Sequence, residues 1–199
     1  MLPPGGSALC VADGEGRNSV WLAAQGREVP AFDFAPVAVE KARRLAAARG
    51  VQVRYEVAGV YDWAWPQAAY DVVAAIFVQF ADPPMREFMF GRMAGALKPG
   101  GLLLVEGYTP KQLEYRTGGP SRLENLYTEA MLREAFKDMQ ILELAEYEAA
   151  GLFDTDIMNA WRDIASGDDD RIAIGELHDP PCCRRFHEGD VVRLTLTLV

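Results

Sequence analysis

The stretch ALCVADGEGRNSVWLAAQGREVPAFD, residues 8–33, decides the fold of this chain. Its first four residues are apolar, and they stop at a turn that contains two glycines. A helix is predicted to begin near Arg17 and to end before Gly26, and the apolar run that follows ends on Asp33. Strand, glycine turn, helix and strand in this order predict a βαβ unit with a nucleotide-binding turn.

The charge of the turn indicates which nucleotide it would bind. Asp13 and Glu15 lie in the turn, and Ser19 stands where the pattern G-x-G-x-x-G has its last glycine. Carboxylates repel a pyrophosphate, which a dinucleotide places on the helix N-terminus. S-adenosylmethionine carries a sulfonium and an ammonium group and no phosphate, so the turn favours it. Asp33 could accept both ribose hydroxyls of either cofactor, and the alternative is a tight turn that binds nothing.

Three segments resemble the class I S-adenosylmethionine-dependent methyltransferases, and in particular the small bacterial branch related to the tellurite-resistance methyltransferases. They are ALCVADGEGRNSVWLA, AFDFAPVAVEKARRLA and LKPGGLLLVEGYTP. The resemblance extends from about Leu2 to Tyr147. It implies an α/β fold with a doubly wound, Rossmann-like sheet, mostly parallel with an antiparallel last strand, in the order 3-2-1-4-5-7-6.

A set of cofactor-binding residues follows from the glycine turn and the resemblance together: Ala12, Asp13, Gly14, Gly16, Asp33, Phe34, Gly59, Val60 and Phe77. Cys10 and Ala12 depart from the family, because most members begin this motif with an acid and a glycine. Gly59 stands where the family usually has an acid that meets the adenine amine. The usual segment before the first strand is missing, so we expect either a partly open pocket or a substitute cover.

Hydrophobic periodicity predicts the rest of the sheet. Further strands are predicted at Val51–Val57, Asp71–Val78, Leu102–Glu106, Met139–Tyr147 and Asp190–Leu198. The continuous apolar run from Asp71 to Val78 is typical of a central parallel strand that is covered on both faces. Helices are predicted after Pro36, after the N-cap Asp82 and after the N-cap Thr128. Alternation of strands and helices predicts a doubly wound parallel sheet.

The region after the fourth strand indicates the methyl acceptor. Methyl transfer is an in-line displacement that needs a base only when the nucleophile is protonated. No strong base stands in the expected places, and residues 76–79 carry no amino-methylating motif. We therefore assign no catalytic residue and predict a small-molecule acceptor such as a thiol or a metalloid oxyanion. The substrate-pocket candidates are Gln79, Tyr108 and Tyr115, with ordinary loop packing as the alternative for each.

Composition limits the class of protein. The chain has 199 residues, a formal net charge of −9 and 3 cysteines. The negative charge argues against nucleic acid as a partner, and no apolar run reaches the roughly 20 residues that span a membrane. No signal peptide is visible and the cysteine count is odd, which favours a cytoplasmic protein. We predict one domain over residues 1–199, and the oligomeric state stays open.

An atypical insertion is predicted at about residues 151–189. If Met139–Tyr147 is parallel and the last strand returns antiparallel, this insertion leaves and re-enters the sheet on the ligand side. We hypothesise that it borders the acceptor site, with a surface excursion as the alternative. Its His178, Cys182, Cys183 and His187 match no standard zinc spacing. We therefore assign no metal, although zinc stays an alternative to a plain surface loop.

Two other functions compete with methyl transfer. The first is a non-catalytic S-adenosylmethionine-binding module, which Gly59 and the missing segment before the first strand would favour. The second is an NAD(P)-dependent Rossmann reductase, which Asp13, Glu15 and Ser19 disfavour. Binding of S-adenosylhomocysteine and of NAD(H) separates the reductase from the other two.

Overall fold

The computed structural model describes residues 5–115, 119–149 and 189–197. Within them the strands are β1 (Ala8–Val11), β2 (Pro30–Asp33), β3 (Arg54–Val57), β4 (Tyr70–Ile76), β5 (Leu97–Tyr108), β6 (Gln140–Ala149) and β7 (Gly189–Thr197). The helices are α1 (Arg17–Ala24), α2 (Pro36–Ala48), α3 (Pro83–Ala96), α4 (Gln112–Tyr115) and α5 (Glu129–Ala135), with a 3-10 turn at Leu123–Asn125. None of the helices in these ranges is long and apolar enough to cross a membrane.

The strands form one sheet in the order β3-β2-β1-β4-β5-β7-β6. Strands β1 to β5 pair in parallel, and β7 pairs antiparallel with both β5 and β6. This confirms the predicted doubly wound α/β sheet and its order. The chain moves outward from β1 in both directions, so β1 and β4 meet at the point where the strand order reverses. Ligands of open α/β sheets bind at the carboxyl ends of the strands at such a point.

Helices cover both faces of the sheet because the central strands are apolar on both sides. Leu9 and Val73 point to one face and pack with Met89 and Met93 of α3, all of them fully buried. Cys10 and its neighbours on the adjacent strands point to the other face and pack with Leu22 of α1. The apolar stripe of α3 is therefore core, as its helical spacing predicts.

Side-chain caps fix the starts of two helices. The Asp82 carboxylate accepts a hydrogen bond from the Met85 N–H at the start of α3. The Thr128 hydroxyl does the same for Met131 at the start of α5. Both caps were predicted from the sequence, because Asp and Thr satisfy the free N–H groups of a first turn.

Strand β1 ends at Val11 as predicted, whereas β4 ends earlier than predicted. Strand β4 ends at Ile76 and not at Val78, because Phe77 adopts a left-handed backbone with φ of 55°. Ala12, directly after β1, is also left-handed, with φ of 48°. Neither residue is a glycine, so both turns hold a backbone conformation that side chains disfavour.

The end of β6 and the start of β7 both lie at the carboxyl edge of the sheet, next to the end of β5. Ala149 at the end of β6 pairs with Gly189 at the start of β7. Strand β6 therefore runs in the same direction as β5, as predicted. Apart from Gly189, the predicted insertion at 151–189 lies outside the described residues, so its role at the acceptor site stays a prediction. The His178, Cys182, Cys183 and His187 group also lies outside them.

Candidate cofactor site

The Asp33 carboxylate joins the end of β2 to the glycine turn after β1. Its Oδ2 atom accepts a hydrogen bond of 3.0 Å from the Gly14 N–H, and its Oδ1 atom accepts one of 2.8 Å from the Ala35 N–H. Asp33 is only 7% exposed. A carboxylate offers about four lone-pair positions, so two acceptor positions remain for a ligand. The carboxylate thus both shapes the turn and can still accept hydroxyl groups.

Gly14 and Gly16 have different roles in this turn. A Cβ atom on Gly14 would meet no atom within 4 Å, so the space beside Gly14 is open to a ligand. A Cβ atom on Gly16 would lie 2.6 Å from the Ala42 Cβ and 2.7 Å from the Tyr55 hydroxyl. Gly16 therefore lets α1 approach α2 closely, while Gly14 leaves room above the turn.

The two acidic side chains of the turn are engaged within the protein. Asp13 accepts hydrogen bonds from the backbone N–H and the hydroxyl of Ser19, and that hydroxyl lies 2.8 Å from the Tyr55 hydroxyl. Glu15 forms an exposed ion pair of 2.6 Å with Lys41. These contacts fix the positions of the two carboxylates, and the expectation that the turn disfavours a pyrophosphate stays a prediction.

Cys10 fills the position where the resembled family begins the motif with an acid. The residue is 1% exposed. Burial raises the pKa of the Cys10 thiol well above its ordinary value, and the Asp13 carboxylate raises it further. The thiol is therefore neutral, and the negative charge near this strand end comes from Asp13.

The predicted base-binding end of the site lies at the turn after β3. The Val60 side chain is 5% exposed and packs in the core, and its carbonyl oxygen accepts a hydrogen bond of 2.7 Å from the Trp65 indole N–H. The structure therefore does not support a ligand contact through the Val60 side chain. Trp63 is 8% exposed and stacks on Phe32 at 4.7 Å between ring centroids, so this tryptophan packs in the core.

Asp62 stands directly beside Gly59. A Cβ atom on Gly59 would lie 3.0 Å from the Asp62 Oδ2 atom. The Gly59 carbonyl oxygen accepts hydrogen bonds of 3.0 Å from the N–H groups of Asp62 and Trp63, which closes a tight turn. The position of the Asp62 carboxylate depends on this turn, and no local sequence pattern indicates it.

Aromatic rings line the carboxyl edge of the sheet. Phe34 follows β2 and is 68% exposed, and Phe80 follows β4 and is 49% exposed. Their ring centroids are 6.5 Å apart. The Phe77 ring packs on Tyr108 at 4.7 Å between centroids. Phe34 and Phe77 were predicted at the site, whereas Phe80 was missed although it directly follows Gln79.

Gln79 is buried and does not line an open pocket. Its side chain links Tyr108 to Asn125, and these three residues form the Gln79 clamp. Gln79 is 3% exposed, its Oε1 atom accepts a hydrogen bond of 2.7 Å from the Tyr108 N–H, and its Nε2 atom donates to the Tyr108 and Asn125 carbonyl oxygens at 2.8 and 3.2 Å. Asn125 returns a bond of 3.1 Å from its Nδ2 atom to the Gln79 carbonyl oxygen. The substrate assignment of Gln79 is therefore corrected to the alternative of loop packing.

Of the other two substrate candidates, the structure describes the side chain of Tyr108 but not that of Tyr115. Tyr108 is 7% exposed, and its backbone belongs to the Gln79 clamp while its ring lies against Phe77. Tyr115 ends α4, but its side chain lies outside the described part of the chain. Within the described ranges, no group of three or more potential metal-ligating side chains occurs.

Comparison with known proteins agrees with this geometry. Residues 8–101 match the family model described as a methyltransferase domain. The chain is 38% identical over 106 residues to a demethylmenaquinone methyltransferase of Thermus thermophilus, covering 51% of this chain and 47% of that protein. It is 36% identical over 106 residues to a ubiquinone biosynthesis O-methyltransferase of Xanthomonas axonopodis pv. citri, covering 53% of this chain and 44% of that protein. The chain thus spans less than half the length of these two relatives.

The fold has a neighbour among solved structures in TehB from Haemophilus influenzae. The TM-score is 0.68 at 16% identity, and the match covers 100% of this chain and 59% of TehB. Residues 8–101 contain the glycine turn, Asp33 and the Gly59 turn, which are the parts that form the candidate site. Residues 8–101 are thus similar to a methyltransferase domain, in agreement with the resemblance of the chain to the class I S-adenosylmethionine-dependent methyltransferases.

Proposed function

We propose that this protein transfers a methyl group from S-adenosylmethionine to a small-molecule acceptor. The observation that carries the proposal is the link between Asp33 and the glycine turn. It leaves free acceptor positions on a buried carboxylate beside the open space at Gly14. The methyltransferase-domain match over residues 8–101 supports the same reading.

The residues at hand fit this cofactor. The Asp33 oxygens can accept the two ribose hydroxyls, and the open space at Gly14 admits the ligand close to the backbone. S-adenosylmethionine supplies an electrophilic methyl group whose transfer needs alignment with the acceptor more than acid–base help. The protein's task is therefore to hold the two molecules in line. The aromatic edge formed by Phe34, Phe77 and Phe80 can exclude water around the reacting atoms.

A soft acceptor, a thiol or a metalloid oxyanion, remains the first proposal for the substrate. The exposed rings of Phe34 and Phe80 favour a second candidate, a flat ring that carries a hydroxyl group. The two quinone-related relatives also favour that candidate. A panel of thiols, metalloid oxyanions, phenols and quinols with labelled S-adenosylmethionine would decide between them. Label transfer to quinols alone would overturn the first proposal.

The Asp33→Ala variant tests the cofactor site. It is expected to weaken binding of S-adenosylhomocysteine by about 1.5–3 kcal/mol, because a hydrogen bond to a charged group is lost. Isothermal titration calorimetry measures this change, and circular dichroism checks that the variant is folded. Asp138→Ala removes an exposed carboxylate far along the chain and serves as the matched control. Unchanged affinity in folded Asp33→Ala would contradict the assignment.

The same titrations separate the rival functions. Tight S-adenosylhomocysteine binding without label transfer to any acceptor would favour the non-catalytic binding module. Binding of NAD(H) in place of S-adenosylhomocysteine would favour the reductase.

We propose in addition that the activity belongs to one domain spanning residues 1–199 in the cytoplasm, with a small molecule as partner.

A further inference from the structure

We infer that Tyr55 is a positioning residue for cofactor binding, whose hydroxyl holds the glycine turn in its binding conformation through Ser19 and Asp13. This inference rests on the proposed function, since the turn is the one assigned to S-adenosylmethionine. Tyr55 lies on β3, and β2 separates that strand from β1 and its turn. The basis is a chain of hydrogen bonds that runs from Tyr55 to the turn.

The glycine turn needs supports from outside itself. Ala12, Gly14 and Gly16 all have left-handed backbones, with φ of 48°, 61° and 87°. Glycine adopts both hands about equally well, and alanine disfavours the left-handed one, so these residues do not fix the turn on their own. Asp33 supplies one support, because it accepts a hydrogen bond of 3.0 Å from the Gly14 N–H. The Asp13 carboxylate supplies the second support through its hydrogen bonds to the start of α1.

The direction of the hydrogen bonds joins Tyr55 to this second support. The Ser19 hydroxyl has one proton and two acceptors within reach, an Asp13 carboxylate oxygen and the Gly16 carbonyl oxygen at 3.2 Å. A carboxylate only accepts, so the Ser19 hydroxyl must donate to hold Asp13. The Ser19 oxygen then accepts the proton of the Tyr55 hydroxyl, 2.8 Å away. Because an accepted bond polarises the hydroxyl, it strengthens the bond that Ser19 donates to the charged Asp13.

The surroundings of the two hydroxyls keep this chain intact. Ser19 is fully buried, and Tyr55 is half-buried. Burial raises the pKa of Tyr55 above its ordinary value, so the phenol keeps the proton that it donates. A Cβ atom on Gly16 would lie 2.7 Å from the Tyr55 hydroxyl oxygen, so this oxygen lies directly against the turn. Loss of the hydroxyl should therefore let Ser19 donate to the Gly16 carbonyl oxygen and release Asp13.

The Tyr55→Phe variant tests this role, because it keeps the ring and removes only the hydroxyl. Calorimetry should show S-adenosylhomocysteine binding weakened by about 2- to 10-fold, since the loss of one hydrogen bond leaves only part of the molecules in the binding conformation. Surface plasmon resonance should show slower association at unchanged dissociation, because the contacts in the bound state stay the same. Ser19→Ala should weaken binding at least as much. Adding Tyr55→Phe to Ser19→Ala should change the affinity by less than about twofold, because Tyr55 acts through Ser19.

Ser7→Ala is the matched control. The Ser7 hydroxyl donates to the Ala69 carbonyl oxygen at 2.9 Å and lies 3.1 Å from an Asp71 carboxylate oxygen. Ser7 directly precedes β1, so it lies at the opposite edge of the sheet from the glycine turn. This variant also loses a hydroxyl beside a carboxylate, and its melting temperature should fall about as much as that of Tyr55→Phe. Its affinity for S-adenosylhomocysteine should stay within about twofold of the wild-type value.

The outcomes separate this inference from the proposed function. If the wild-type protein does not bind S-adenosylhomocysteine, the proposed function fails and this inference fails with it. If the wild-type protein binds but Tyr55→Phe keeps its affinity, the role of Tyr55 is wrong while the proposed function stands. Faster dissociation alone, fully multiplied effects in the double variant, or an equal loss of affinity in Ser7→Ala would also overturn the role of Tyr55. Thermal unfolding of each variant confirms that the compared proteins are folded.

Discussion

The Gly16→Ala variant is expected to lose about 2–5 kcal/mol of its free energy of unfolding. Gly16 has φ of 87°, where a side chain costs about 1–2 kcal/mol. Its new Cβ would lie 2.6 Å from the Ala42 Cβ and 2.9 Å from the Ala42 Cα, so α1 and α2 must move apart. Overpacking of this kind costs about 1–3 kcal/mol more. Urea unfolding measures the loss, and an unchanged slope would show that the unfolded state is the same.

Gly14→Ala is the matched control for this variant. Gly14 is also left-handed, with φ of 61°, but a Cβ there meets no atom within 4 Å. The variant should lose only the backbone cost of about 1–2 kcal/mol. Its methyl group would instead occupy the space proposed for the cofactor, so binding of S-adenosylhomocysteine should fall sharply. Equal loss of stability in both variants would contradict the close approach of α1 to α2.

The Gln79→Leu variant is expected to lose about 2–6 kcal/mol of its free energy of unfolding. It leaves the Tyr108 N–H and the carbonyl oxygens of Tyr108 and Asn125 without their amide partner in a buried place. The Tyr108 carbonyl oxygen keeps its hydrogen bond of 3.0 Å from the Tyr127 N–H, so two groups are orphaned, at about 1–3 kcal/mol each. The segment between β5 and α5 should also loosen from the end of β4, which would lower acceptor turnover. Urea unfolding and label transfer measure the two effects.

Gln67→Leu provides the comparison for Gln79→Leu. The Gln67 side chain is exposed, and its Nε2 atom donates one hydrogen bond of 3.3 Å to the Trp65 carbonyl oxygen. Water can replace such a bond, so the loss should stay within about 0.5 kcal/mol. If Gln79→Leu is as stable as Gln67→Leu, the clamp does not hold the loop.

The sheet could be predicted from the sequence because its signals are local. Continuous apolar runs mark the central strands, and Asp82 and Thr128 cap helices through contacts three residues away. The end of β4 was predicted two residues too late. The left-handed backbone of Phe77 depends on the turn around it, and an apolar residue gives no sign of such a turn.

The partners of the site residues were harder to predict than the residues themselves. Asp33 and the two glycines follow from the βαβ pattern. The amide of Gln79 instead reaches Asn125, 46 residues away, and no local pattern indicates that pairing. Glu15 likewise lies against Lys41 of the next helix. Such contacts depend on how helices and loops pack over the sheet, which residue types alone do not specify.

The left-handed backbone of Ala12 lowers the thermal stability of the protein but fixes the conformation of the turn before the ligand binds. A glycine at this position would remove a backbone cost of about 1–2 kcal/mol. Because glycine has more conformational entropy in the unfolded chain, about 0.4–1 kcal/mol of this gain would be offset. Ala12→Gly should therefore gain up to about 1.6 kcal/mol, and each kcal/mol gained raises Tm by roughly 2–4 °C in a chain of this length. The more flexible turn would then have to be ordered when the cofactor binds, so affinity should fall as the melting point rises. The Ala12 methyl group thus lowers the melting temperature and preorganises the turn for its ligand.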